Sequence, residues 1–227
     1  MSFCPCRLVL LAVALLSTTA LAQAPAQSSS SPQRTTKLAK AGPSLDPGSV
    51  ANNIYRNKTL GLTCKIPEAW VLRTDELNAR EEEKPASDPA SGAAPPASSA
   101  GSKVLLAAFS RPPAAKGEEI NSSIVIAAEP VASYPGLKEA AQYFYPLEEV
   151  AKAQGLALDE DPYAVAIGTQ TLVRGDFHKD VGSRVLRQST LALLSRGYAI
   201  SITLISGTDD GVEELIDSLS FIDAGKK

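Results

Sequence analysis

The chain has one histidine in 227 residues, and two of its three cysteines fall within the first six positions. Each scarcity excludes something. Any Ser/His/Asp arrangement has to pass through His178, and no GxSxG elbow accompanies it, so a hydrolase has almost nothing to stand on. Crossing a bilayer takes about 20 consecutive apolar residues. The continuous apolar run at residues 8–16 is far shorter, and no later stretch supplies one, so no membrane span is expected. There is no surplus of positive charge either: 22 Lys and Arg are scattered among 25 Asp and Glu. That distribution gives no electrostatic footprint for nucleic acid, and no such partner is expected.

What is present begins with a leader. Arg7 precedes the apolar run, which ends in the small residues Ala20 and Ala22 before Gln23. This is the pattern of a secretory signal peptide over residues 1–22, cleaved after Ala22, so the mature product is expected to be periplasmic or secreted and to start at Gln23. Cys4 and Cys6 lie before the apolar run, where they do not serve as a lipid anchor. Cleavage removes both, together with Arg7. The exported chain then carries a net charge of about −4 (the formal −3 less Arg7) and Cys64 as its only thiol, so it forms no internal disulfide.

Residues 23–51 are rich in Ser, Pro, Ala and Gln and poor in large apolar side chains, which makes them a disordered leader. Residues 52–224 read as a single domain interrupted at 79–102 by a second stretch of this kind, a flexible surface insertion that loop-closure entropy tolerates. Leu62, Cys64 and Ile66 alternate with Thr63 and Lys65 at the period of a half-buried strand, which Pro67 ends before Trp70. Residues 104–110 and 123–128 are strand-length apolar runs suited to antiparallel pairing, and 170–177, 183–194 and 198–206 follow. Arg196-Gly197 predicts a tight hairpin between the last two.

Helical spacing over residues 136–154 places Leu137, Ala140, Ala141, Phe144, Leu147 and Ala151 on one stripe, with Pro146 expected to kink or split it. A closing helix is expected from Asp209 or Asp210, with Asp210 and Glu213 at capping-box spacing and Val212, Leu215, Ile216 and Leu219 as its apolar face. Antiparallel strands with helices entering in the middle and at the end give an α+β fold, helices packed on an antiparallel sheet.

The opening YRNKTLGLTCKIPEAW, the long stretch IGTQTLVRGDFHKDVGSRVLRQSTLALLSRGYAISITLISG and the ending EELIDSLSF resemble the PsbP-like superfamily over about residues 53–222. That group is the α/β/α sandwich shared by the extrinsic photosystem II protein, a Ran-binding nuclear import factor of yeast and many small exported bacterial proteins. The resemblance implies a central antiparallel sheet flanked by helices and, by analogy of fold, a non-catalytic binding role. The chain departs from the pattern in its 79–102 insertion and in Cys64, where an aromatic is commoner.

Five sets of residues bear on function. Asp176, His178 and Asp180 sit two apart, so an extended backbone points all three the same way. Such a row either binds a zinc-like or manganese-like ion or is the solvent-facing row of a strand entering the Asp180 to Gly182 turn, and the second is preferred. Cys64, on an apolar strand face, is read as core rather than as a nucleophile. Asp159, Glu160 and Asp161 read as a solvated turn, without the glycine and carboxylate spacing of an EF-hand. Asn57 and Asn121 sit in glycosylation sequons, which matter only in a eukaryotic secretory route. Consecutive helical residues step about 100°, so Tyr143, Phe144 and Tyr145 do not all face one core. Phe144 belongs to the apolar stripe, and Tyr143 and Tyr145 are the candidates for a partner-binding surface. No cofactor is expected. The expected function is an exported, non-catalytic binding or accessory module that docks on a protein partner. The alternatives are a carrier of a small apolar ligand, marked by an apolar cavity of several hundred Å³, and an enzyme, marked by a concave cluster of perturbed ionisable groups.

Overall fold

The computed structural model describes residues 45–83, 102–112, 115 and 119–222. The signal peptide and most of the 23–51 leader lie outside the described residues. The end of that leader does not: Ser49–Ala51 (β1) is an edge strand paired with Ile54–Asn57 (β2) through a two-residue turn in which Asn52 and Asn53 both have φ near +50°. Asn is among the few residues that adopt that conformation readily, so the turn overrides the leader-like composition around it.

Leu62–Lys65 (β3) continues this small sheet, which Leu219–Phe221 (β12) completes in the order β1-β2-β3-β12. The larger sheet begins with Val71–Leu72 (β4), followed by helix α1 (Thr74–Glu83) and strands Lys103–Phe109 (β5) and Ser123–Pro130 (β6). After helix α2 (Ala140–Ala153) come Ala157–Leu158 (β7), Tyr163–Ile167 (β8), Gln170–Val181 (β9), Arg184–Ser195 (β10) and Tyr198–Ser206 (β11), then helix α3 (Asp209–Asp217). Strand order is β4-β5-β6-β11-β10-β9-β7, with β8 also on β9, and the pairings are antiparallel. The class is α+β, as read from the sequence.

The central strands are buried on both faces. Leu191, Leu193, Ile200, Ile202 and Leu204 form one core with Val212, Leu215 and Ile216 of α3 and with Tyr55, Leu62, Cys64, Leu219 and Phe221 of the small sheet. Their sequence neighbours Ala192 and Ala199 face the other way, into a second core with Tyr143, Phe144, Leu147 and Ala151 of α2 and Phe177 of β9. One face of the sheet therefore carries α2, and the other carries α3 together with a second sheet.

The hairpin at Arg196-Gly197 forms as expected, with φ of +51° and +83°. Two expectations are corrected, and of the kink or split expected at Pro146 the split does not occur. α2 runs unbroken through Pro146: proline costs it one interior hydrogen bond, and four buried side chains on the sheet offset that loss. α3 is capped by Thr208, whose Oγ1 accepts from the Gly211 amide at 3.1 Å, so Asp209 and Asp210 lie in the first turn, favourable to the helix dipole, and there is no Asp210 cap. The segment 79–102 starts as helix, because α1 continues to Glu83; 84–101 lies outside the described residues.

Burial sets the alkaline limit of the small sheet. It pushes the Cys64 thiol up to about 11 from 9.0 and the Tyr55 hydroxyl up to about 12 from 10.0. Both favour the neutral form in the folded state. Their contribution is therefore complete below about pH 9 and is lost as pH rises through the folded values. Urea midpoints measured at pH 8 and pH 11 should be clearly lower at 11; equal midpoints would show that neither group is buried as described.

Candidate functional site

β9 presents Leu172, Arg174, Asp176 and His178 on the face toward α3, and Val173, Gly175 and Phe177 toward α2. This period of two makes a charged cleft of about 210 Å³ between the sheet and the start of α3, lined by Asp159, Arg174, Asp176, Arg187, Asp209 and Glu213 among others. Arg174 is its hub. The Arg174 Nε atom donates to both Asp176 oxygens at 3.0 Å, its Nη2 meets Glu213 Oε1 at 2.5 Å, and the guanidinium lies 5.8 Å from the Tyr163 ring centroid. Burial would lower the Arg174 pKa, but the hydrogen bonds to Glu213 and Asp176 outweigh it and raise it, so this cation is permanent. The Tyr163 hydroxyl donates to Asp176 Oδ2 at 3.0 Å; burial and that bond push it up to about 12.

A second set runs beside the first. Arg187 bridges Asp209 at 3.3 Å and Asp159 at 3.7 Å, and the other Asp159 oxygen lies against His178 Nδ1. Each arginine thus sits between two carboxylates, one of them on α3. The arrangement fastens α3 to β9 and β10: the Arg174 fork is taken up by Asp176 and Glu213, and Arg187 is paired with Asp159 and Asp209.

The row Asp176, His178, Asp180 is brought to one strand but not to one site. Asp176 is taken by Arg174 and Tyr163, His178 by Asp159, and Asp180 is exposed. Among the described residues no group of three His, Cys, Asp or Glu side chains is placed to hold a metal ion. His178→Ala should change stability by less than about 1 kcal/mol, the range of a solvent-exposed pair, and zinc or manganese should leave the wild-type melting temperature unchanged. A rise with metal that His178→Ala abolishes would restore the metal-binding reading.

Cys64 is fully buried on the inner face of the small sheet, its Sγ 3.7 Å from Ser218 Oγ. Asn57 is also buried, donating to the Asp46 carbonyl at 2.7 Å and accepting from the Leu60 amide at 2.9 Å, so its carboxamide is structural. Asn121 clamps Ser110 and Arg111 in the same way.

Tyr143 is corrected from surface to core. It is 1% exposed, edge-on to Tyr134 at 5.3 Å, and its hydroxyl donates to Glu129 at 3.2 Å. Burial and the adjacent Glu129 charge raise its pKa. Its neighbour Tyr145 points outward and is 71% exposed. The sequence reading missed Arg174, Arg187 and the buried Glu129, and gave Glu213 a capping-box position where the structure pairs it with Arg174. For Arg174 the signal was available, since it occupies the same alternate row two residues before Asp176.

No family model and no curated protein matches this chain. Among solved structures it is similar to the cyanobacterial PsbP of Synechocystis sp. PCC 6803, with 19% identity over 77% of this chain and 98% of that one and a TM-score of 0.43. It is also similar to LpqN of Mycobacterium tuberculosis, involved in cell envelope biogenesis, with 14% identity over 77% of this chain and 85% of that one and a TM-score of 0.35. A protein of unknown function from Pseudomonas aeruginosa matches 44% of this chain and 68% of its own length, at 20% identity and a TM-score of 0.32. Among the described residues no helix is long and apolar enough to cross a membrane.

Proposed function

We propose that this chain is an exported, non-catalytic accessory module, built as a PsbP-like α/β/α sandwich, that docks on a protein partner through the outer face of α2. The observation that carries the reading is Tyr145. A large aromatic, 71% exposed and held beside Pro146 on a helix whose next-door residues Tyr143 and Phe144 are buried, is a rigid anchor of the kind that dominates binding energy at interfaces. The charged cleft supports structure more than chemistry, because its two arginines and its histidine are engaged by carboxylates. It is about 210 Å³ and charged, so it lends no support to a carrier of an apolar molecule.

Tyr145→Ala should leave stability within about 0.5 kcal/mol of wild type, as surface substitutions do, and should abolish retention of the partner when the mature domain is used as bait in an envelope fraction. Unchanged retention would remove α2 from the interface.

A further inference from the structure

The outer edge of β5 is closed by side chains where a strand would ordinarily close it. β4 pairs only with Phe109 and Ala108, which leaves residues 103–107 beyond its reach. There α1 takes over. The Val104 amide donates to Asn78 Oδ1 at 2.9 Å, and Asn78 Nδ2 donates to the Val104 carbonyl at 2.9 Å. One carboxamide thus supplies the donor and the acceptor that a neighbouring strand residue exchanges in an antiparallel pair. Three residues on, the Ala107 amide donates to Thr74 Oγ1 at 3.0 Å, and the Ala107 carbonyl accepts from the Arg73 amide at 2.9 Å.

Among the described residues α1 adds little apolar burial of its own. Its sequence, TDELNAREEE, contains one large apolar residue, Leu77, and that is only half-buried. The strand beneath is the opposite: KVLLAAF has one charge, at its first position, and no proline or glycine, and Val104, Leu105, Leu106, Ala107 and Ala108 are all buried. Beyond Lys103 the segment is uncharged, and although a bulge interrupts its register with β6 between Val104 and Leu106, its composition favours strand pairing once the edge is bare.

We propose that α1 is a detachable cover over a latent pairing edge, and that when it leaves, β5 pairs antiparallel with β5 of a second copy of this chain. Two identical edges related by a twofold axis present donors to acceptors in both directions, and the Val104 and Ala107 backbone groups that Asn78, Thr74 and Arg73 now satisfy become the ladder of the new pair. The fold then passes from monomer to dimer by exchanging side-chain mimicry for a real strand.

The test is the exported chain carrying Asn78→Ala and Thr74→Ala, studied by sedimentation equilibrium and residue-resolved amide exchange. The expected result is a concentration-dependent dimer. The Val104 and Ala107 amides exchange about tenfold or more faster than wild type in the dilute monomer and regain protection in the dimer. A chain that stays monomeric at every concentration overturns the proposal. So does a dimer in which those amides stay fast, or association that needs a different protein. If the double variant fails to fold, Asn78→Asp decides, because it keeps the acceptor for the Val104 amide and loses the donor to its carbonyl: partial dimerisation is expected, and a strict monomer overturns the idea.

Discussion

Gly168→Ala should destabilise the domain by about 3 kcal/mol or more, among the largest losses any single methyl group can cause here. Gly168 opens the two-residue turn between β8 and β9 with φ +59°. A Cβ at this position falls inside contact distance of the Phe221 carbonyl oxygen and 3.0 Å from the Phe221 amide nitrogen, both backbone atoms of β12. That carbonyl already accepts from the Thr169 amide at 3.2 Å, so the turn and the small sheet's edge are joined here and neither gives way independently. Gly182, in the β9 to β10 turn, is the control. It has nearly the same φ, +63°, with nothing within 4 Å of its added Cβ. Gly182→Ala should cost only the left-handed backbone penalty, about 1–2 kcal/mol. Denaturant titration of the two variants separates conformation from contact, and equal losses would mean that the turn does not touch β12.

Gly175→Ala is the second large effect, about 1–3 kcal/mol from overpacking. Its Cβ would stand 2.5 Å from Phe144 Cε1 and closer still to Cζ, in the layer where the Phe144 and Phe177 rings lie stacked with centroids 6.1 Å apart. α2 therefore reaches the sheet through a gap that only glycine leaves. Shortening the opposing side chain should relieve the conflict. In a Phe144→Leu background the added methyl should cost clearly less than in wild type, a coupling that a double-mutant cycle reads directly. Additive losses would place Phe144 elsewhere.

These two glycines show where the sequence was legible and where it was not. Alternation announced β3 and β11, and the apolar spacing of Val212, Leu215 and Ile216 announced α3, because the burial of those side chains is local and periodic. The signals that failed were tertiary. β4, β7 and β8 are too short or too exposed to show a period and exist because β5 and β9 offer them an edge. α1 is almost wholly polar and is placed by its bonds to β5, which no hydropathy pattern records. Tyr143 was a surface candidate because three consecutive helical residues do not all face one core and Phe144 already sat on the apolar stripe. Glu129, on the strand β6 that precedes α2 and 1% exposed, gives that hydroxyl a buried partner. The cleft was half-legible: Asp176 and His178 were seen as a row, while Arg174 in the same row turns the reading from metal ligation toward ion pairing.

A photo-crosslinking amino acid placed at position 145 tests docking through α2 most directly, with the same residue at Lys65 on the small sheet as the comparison. The exported chain irradiated in cells should give one discrete protein adduct from position 145 and none from position 65. No adduct from 145, or the same adduct from both positions, would contradict an accessory module that binds its partner through Tyr145.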